Sequence, residues 1–187
     1  MNLILIGPPG AGKGTQAKYL VKKLNNFQIS TGDMLREEIQ NESEIGKKIL
    51  NDMNDGKFVS DQIVNTLIEN VLLDPKKRGR LIFDGYPRSL TQAENLEQLL
   101  KKTNQTIDFI FFLNVNKEII IERIKQRKII EKRADDDLET IIKRYDTYMD
   151  TTKPVLNFYS KNSNFYEIDG GCKIEEITAK IDNFLNV

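Results

Sequence analysis

Four short segments, residues 2–6, 80–84, 108–113 and 164–168, have apolar, β-branched or aromatic centres without polar alternation. A strand covered on one face alternates, whereas one covered on both faces does not, so this pattern predicts buried parallel strands. A shorter candidate, 27–30, runs into a cap-like Ser-Thr-Gly-Asp. Between these runs the period changes. Segments 15–24, 62–73, 90–100, 117–125 and 138–159 carry apolar residues three or four apart, the stripe of helices packed on a core. Strands alternating with helices predict a three-layer α/β/α sandwich around a central parallel sheet of about five strands. Two stretches interrupt the alternation. Residues 31–59 form an all-helical excursion, and residues 128–137 form a polar, charge-dense break before the long helix 138–159. Ligands of such sheets bind beyond the C-terminal strand ends, where excursions of this kind serve as lids.

Composition narrows the picture by exclusion. The chain has 187 residues and no repeat, low-complexity tract or Gly/Ser linker, so one domain is the economical reading. Its 28 basic residues balance 28 acidic ones, so net charge points to neither nucleic acid nor a membrane surface as partner. The first apolar run is too short for a secretion signal and no stretch reaches the length of a membrane span, which predicts a cytoplasmic protein. A single cysteine, Cys172, cannot close an internal disulfide, and without histidine no zinc site is expected. Histidine is also the commonest general base. The chemistry here must rest on charge, geometry or carboxylates.

The densest local signal is Gly7-Pro8-Pro9-Gly10-Ala11-Gly12-Lys13-Gly14-Thr15, placed directly between a strand and a helix. This is the context of a phosphate-binding P-loop. Glycines let the backbone turn its amides inward, and the following helix adds its positive end. Lys13 supplies a point charge for the terminal phosphates and Thr15 a hydroxyl for a phosphate oxygen. The motif's usual hydroxyl position is occupied by Gly14, with Thr15 one step later. A second acidic element, Asp84, ends the apolar run Leu81-Ile82-Phe83. P-loop enzymes place such a carboxylate near Mg²⁺, although an Asp at a strand end also serves as a cap.

Further motifs follow in order: Ser30-Thr31-Gly32-Asp33-Met34-Leu35-Arg36, Gly56-Lys57-Phe58-Val59, Asp84-Gly85-Tyr86-Pro87-Arg88 and Arg133-Ala134-Asp135-Asp136. With this set the chain resembles the adenylate kinase family over essentially its whole length. The resemblance implies a core of residues 1–29, 60–126 and 137–187, a monophosphate-binding excursion at 30–59 and a short lid at 127–136. It implies reversible, Mg²⁺-dependent transfer of phosphate from ATP to AMP, giving two ADP and balancing the adenine nucleotides, in a monomer. ATP would be held by Gly10, Ala11, Gly12, Lys13, Gly14 and Thr15, by Arg123 and Arg127, and at its base by the backbone near Gly171 and Cys172. AMP would meet Thr31, Arg36, Arg88 and Gln92, with Lys57, Phe58, Val59 and Gly85 alongside and Arg133 and Arg144 on its phosphate. Lys13, Arg88, Arg123, Arg127, Arg133 and Arg144 would surround the transferred group. Asp84 would hold Mg²⁺ through water, and Asp135 and Asp136 would pair with arginines when the lid closes. Physical reasoning agrees on the arginines. A phosphoryl group in transit spreads charge over its oxygens, and permanently charged, forked guanidinium groups suit it. Arg123 and Arg127 lie four apart and so share a helix face.

The family's relatives that act on UMP or CMP typically carry Ala where this chain has Thr31 and Asn where it has Gln92, so both residues match the adenylate pattern. A glutamine amide offers a donor and an acceptor to adenine's edge. A pyrimidine monophosphate kinase and a nucleotide-binding module without catalysis are the competing readings. Only Lys128-Ile129-Ile130-Glu131-Lys132 separates Arg127 from Arg133, which resembles the short-lid form without zinc.

Overall fold

The computed structural model describes residues 1–55, 57–131 and 138–186. Five strands, β1 (Leu3–Ile6), β2 (Phe27–Ser30), β3 (Leu81–Asp84), β4 (Phe109–Asn114) and β5 (Phe165–Asp169), form one sheet in the order β2-β3-β1-β4-β5. Every pairing is parallel, with Leu3 of β1 opposite Ile82 on one side and Phe109 on the other. The helices are α1 (Lys13–Leu24), α2 (Thr31–Gln40), α3 (Glu44–Asn54), α4 (Asp61–Leu72), α5 (Leu90–Lys102), α6 (Lys117–Glu131), α7 (Leu138–Thr147), α8 (Lys153–Tyr159) and α9 (Ile174–Leu185).

Side chains alternate across the pleat and meet helices on both faces. Ile4, Ile6, Leu81, Phe83, Ile110 and Phe112 pack with residues of α4, α5 and α8. Leu3, Leu5, Ile82, Phe111 and Leu113 pack with residues of α1, α6 and α9. This double cover is why the strands read as unbroken apolar runs. Because α1 leaves β1 toward one face and α5 leaves β3 toward the other, a crevice opens between the C-terminal ends of β1 and β3. There a parallel sheet reverses its winding and takes its ligand. Serines start the helices that border it. Ser30, Ser43 and Ser89 accept hydrogen bonds from the backbone N–H groups of Asp33, Gly46 and Gln92 at 3.3, 2.9 and 3.1 Å.

Three elements differ from the sequence expectation. The single helix expected over 138–159 is divided by a π-helical turn, Tyr148–Thr152, in which the N–H of Lys153 reaches back five residues to Tyr148 O. Pro154 is the cause, since it has no N–H to give the carbonyl four residues before it. Helix α6 runs to Glu131 and not to residue 125, so the polar break begins inside a helix. Its stripe residues Ile120 and Ile124 are buried, while Ile129 is 79% exposed, which is why periodicity stops before the helix does. Helix α9, anchored by buried Ile177, Ile181 and Leu185, was not among the expected segments, although its four-residue spacing is plain. Among the described residues no helix is long and apolar enough to cross a membrane.

Candidate active site

The loop after β1 turns through left-handed backbone at Gly10 (φ 81°) and Gly12 (φ 94°), a region that side chains with a Cβ rarely adopt. A Cβ at Gly10 would lie 2.9 Å from Ile124 Cγ1, whereas one at Gly12 would meet nothing within 4 Å. The loop is thus packed below and open above. Lys13 begins α1 and folds back, its Nζ donating to the carbonyls of Gly7 (2.7 Å) and Pro8 (2.9 Å). Burial lowers its pKa to about 8; Asp84 opposes the shift, and the charges of Arg88, Arg144 and Arg127 add to it. One lysine, three arginines and one carboxylate therefore share a field. A polyanion is the ligand that such a field favours.

Asp84, at the end of β3, accepts from Gln28 Nε2 at 2.9 Å. A Cβ at Gly14 would stand 3.4 Å from its Oδ2, so the glycine in the motif's hydroxyl position lies against this carboxylate. The arrangement suits Mg²⁺, which takes one or two carboxylates, phosphate oxygens and water in place of a full protein cage. Thr15 follows on the exposed first turn of α1.

Two open clefts flank this centre. The first is lined by Lys13, Gly85, Tyr148 and Thr152 among others, and the second by Thr31, Arg36, Lys57, Val59 and Gln92 among others. Phe58, Arg88 and Arg144 line both. Arg88 is held firmly. Its Nε donates to Gly85 O (2.7 Å), its guanidinium carbon lies 5.1 Å from the centre of the Phe58 ring, and its backbone carbonyl accepts from Thr152 Oγ1 (2.9 Å). Gly85 O also accepts from Thr31 Oγ1 at 2.9 Å, which ties the excursion to the β3 loop. Ser30, not Thr31, caps α2. Arg36 pairs with Asp33, and Lys57 pairs with Asp55 at 2.9 Å.

Other expected residues lie at the margins. Arg123 lines neither cleft; it donates to the Cys172 carbonyl at 3.3 Å, so α6 is joined to the turn after β5 where Gly171 and Cys172 sit. Arg127 also lines neither, yet it acts on Lys13 through charge. Arg133, Asp135 and Asp136 lie outside the described residues, with half of the expected lid, 132–136. Tyr148 and Tyr159 are buried, Tyr148 also borders the first cleft, and Phe158 is exposed. Gln28, Asp61, Ser89 and Thr152 were missed. Gln28, Asp61 and Thr152 lie within a strand or helix and their partners lie far along the chain, so no local spacing marks them, whereas Ser89 precedes α5 with Gln92 three positions on, a capping signature that could have found it.

Comparison with known proteins bears on this arrangement. Residues 5–164 match the family model described as adenylate kinase. An adenylate kinase of Pelagibacter ubique is 51% identical across all of both chains, in an alignment of 213 positions against 187 residues here. That relative therefore carries segments this chain lacks. An adenylate kinase of Caulobacter sp. is 42% identical over 187 positions, covering 100% of this chain and 99% of its own. One of Mycoplasma mycoides is 39% identical over 96% of this chain and 94% of its own. A P-loop whose lysine shares a field with three arginines, two clefts meeting at Arg88 and Arg144, and relatives matched from end to end lead to one assignment: the chain belongs to the adenylate kinase family.

Proposed function

We propose that this chain catalyses ATP + AMP ⇌ 2 ADP, with ATP on the P-loop side and AMP in the cleft beneath the excursion. The observation that carries this reading is that Arg88 and Arg144 line both clefts, next to Lys13. A group passing between two nucleotides needs cations that face both its old and its new partner. Lys13 gives up its two carbonyl contacts to meet the terminal phosphates, and the open backbone at Gly12 leaves room for them. Arg88, held at Nε by Gly85 O and lining both clefts, would present its guanidinium to phosphate. Asp84 and Gln28 would hold the hydrated Mg²⁺, which supplies charge neutralisation on the ATP phosphates when bound. Arg123 and Arg127, one turn apart on α6, would meet the transferred group on closing, the role the family resemblance also gives to Arg133. Thr31 and Gln92 meet the adenine of AMP, while Arg36 and Arg144 meet its phosphate. The domain division goes with this reading: core 1–29, 60–126 and 137–187, excursion 30–59, lid 127–136. So do a monomeric state and a cytoplasmic location.

The test is ADP formation from ATP and Mg²⁺ with AMP, GMP, CMP and UMP offered singly. Strong turnover with AMP alone supports the assignment. Turnover mainly with CMP or UMP removes the roles given to Thr31 and Gln92 while keeping the phosphate chemistry.

A further inference from the structure

Gln92 is 2% exposed yet borders the acceptor cleft, and its amide is held at both ends. Its Oε1 accepts from the backbone N–H of Arg88 at 2.8 Å, and its Nε2 donates to Asp61 Oδ1 at 2.6 Å. Asp61 is the first residue of α4, immediately after the excursion. Its other oxygen, Oδ2, accepts from Ser89 Oγ at 2.7 Å, and Ser89 Oγ accepts from the Gln92 backbone N–H at 3.1 Å. The ring of bonds permits one orientation of the amide. Turned over, Nε2 would face the Arg88 N–H and Oε1 would face a carboxylate, placing donor against donor and acceptor against acceptor.

That constraint has a chemical consequence. One N–H and one lone pair of the Gln92 amide are used by these bonds, leaving one donor and one acceptor for a base. Adenine presents an N–H donor at its 6-amino group beside an acceptor at N1. Guanine presents the reverse, an acceptor at O6 beside an N–H at N1. An amide free to turn over would satisfy either. We infer that Asp61 is a specificity-determining positioning residue, which pins the Gln92 amide in the orientation that reads a 6-aminopurine monophosphate and rejects a 6-oxopurine one. The inference rests on the placement of AMP against Gln92 proposed above. Asp61 itself lines neither cleft. It acts through Gln92, and the Arg88 N–H is the second pin.

The experiment titrates AMP and then GMP into the full chain by calorimetry, for the unaltered protein and for Asp61→Ala, Asp61→Ser, Asp61→Asn, Gln92→Ala and Asp61→Ala/Gln92→Ala. Loss of one oriented hydrogen bond to a buried amide lowers the ratio of AMP to GMP affinity about tenfold in Asp61→Ala. Asp61→Ser, small and polar at the same helix position but too short to reach the amide, shows the same fall and guards against a folding defect of the alanine variant. Asp61→Asn keeps an oxygen for Nε2 and holds the ratio within about threefold of the original. Gln92→Ala collapses the ratio, and adding Asp61→Ala to it lowers the ratio no further. An unchanged ratio in both Asp61→Ala and Asp61→Ser, with a collapse in Gln92→Ala, overturns the role of Asp61 and leaves the acceptor site standing. Additive losses in the double variant, or a loss in Asp61→Asn equal to that in Asp61→Ala, also overturn it. An unchanged ratio in Gln92→Ala overturns the acceptor-site placement and this inference together.

Discussion

Lys13 couples nucleotide binding to protons in a way that can be measured. In the described state its ammonium is satisfied by two backbone carbonyls, and burial, partly offset by Asp84, brings its pKa from 10.5 down to about 8. About half of the free protein then carries a neutral Lys13 near pH 8, and about nine-tenths near pH 9. Triphosphate placed on the loop brings several negative charges to the same nitrogen and restores its proton. Binding of Mg-ATP near pH 9 should therefore take up about 0.9 proton per site, and affinity should be about tenfold weaker than near pH 7. The sign for stability follows from the same shift. The unfolded chain holds this proton more tightly, so the cost of burying the charge is present below about pH 8 and fades as pH rises toward 10.5. Calorimetric titrations in two buffers of different ionisation enthalpy report the proton count directly. The Lys13→Met variant should bind weakly, with neither the uptake nor this pH dependence. Wild-type affinity that stays flat between about pH 7 and pH 9, or an unchanged proton count in Lys13→Met, would refute the reasoning.

Other consequences are simpler to state. Arg88→Ala should lower turnover by about three orders of magnitude or more while leaving thermal melting nearly unchanged, because the guanidinium serves the transferring group more than the core; near-normal turnover would remove Arg88 from the chemistry. Arg88→Lys should restore little, since an ammonium cannot keep the Gly85 bond at Nε and also fork toward phosphate. Phe111→Ala should cost about 3–5 kcal/mol by denaturant melts, because the ring is fully buried among Phe109, Tyr166 and Phe184. Chelating Mg²⁺ should abolish transfer without lowering the melting temperature of the ligand-free chain, since among the described residues no cluster of His, Cys, Asp or Glu could hold a structural ion; a large drop in melting temperature would point to a metal bound elsewhere.

Much of this protein is legible from order and period alone. Four apolar runs without alternation and a shorter fifth candidate, separated by helical stripes, specify a parallel sheet covered on both faces, because strands apolar on both sides of the pleat need cover on both. The loop from Gly7 to Thr15 is local as well: its glycines, its lysine and the start of α1 are adjacent in sequence, so their geometry needs no distant partner. Thr31 and Arg88 stand within motifs that run in short order along the chain, and Gln92 is singled out through the family resemblance. Packing decided the remainder. The sequence pattern ends α6 at residue 125, just past buried Ile124 and before exposed Ile129, yet the helix continues to Glu131 on backbone hydrogen bonds that a hydrophobic period does not record. Pro154 marks a defect in the helix expected over 138–159, but only the fold turns that defect into a π-turn ending at Thr152, whose hydroxyl meets the Arg88 carbonyl 64 positions away in the chain. Asp61 is the clearest case. In sequence it is an unremarkable acidic residue in a helix's first turn. Only when α4 and α5 are set side by side does its carboxylate reach Gln92 and Ser89, because hydrogen-bond partners 31 and 28 positions apart are brought together by tertiary packing and by nothing local.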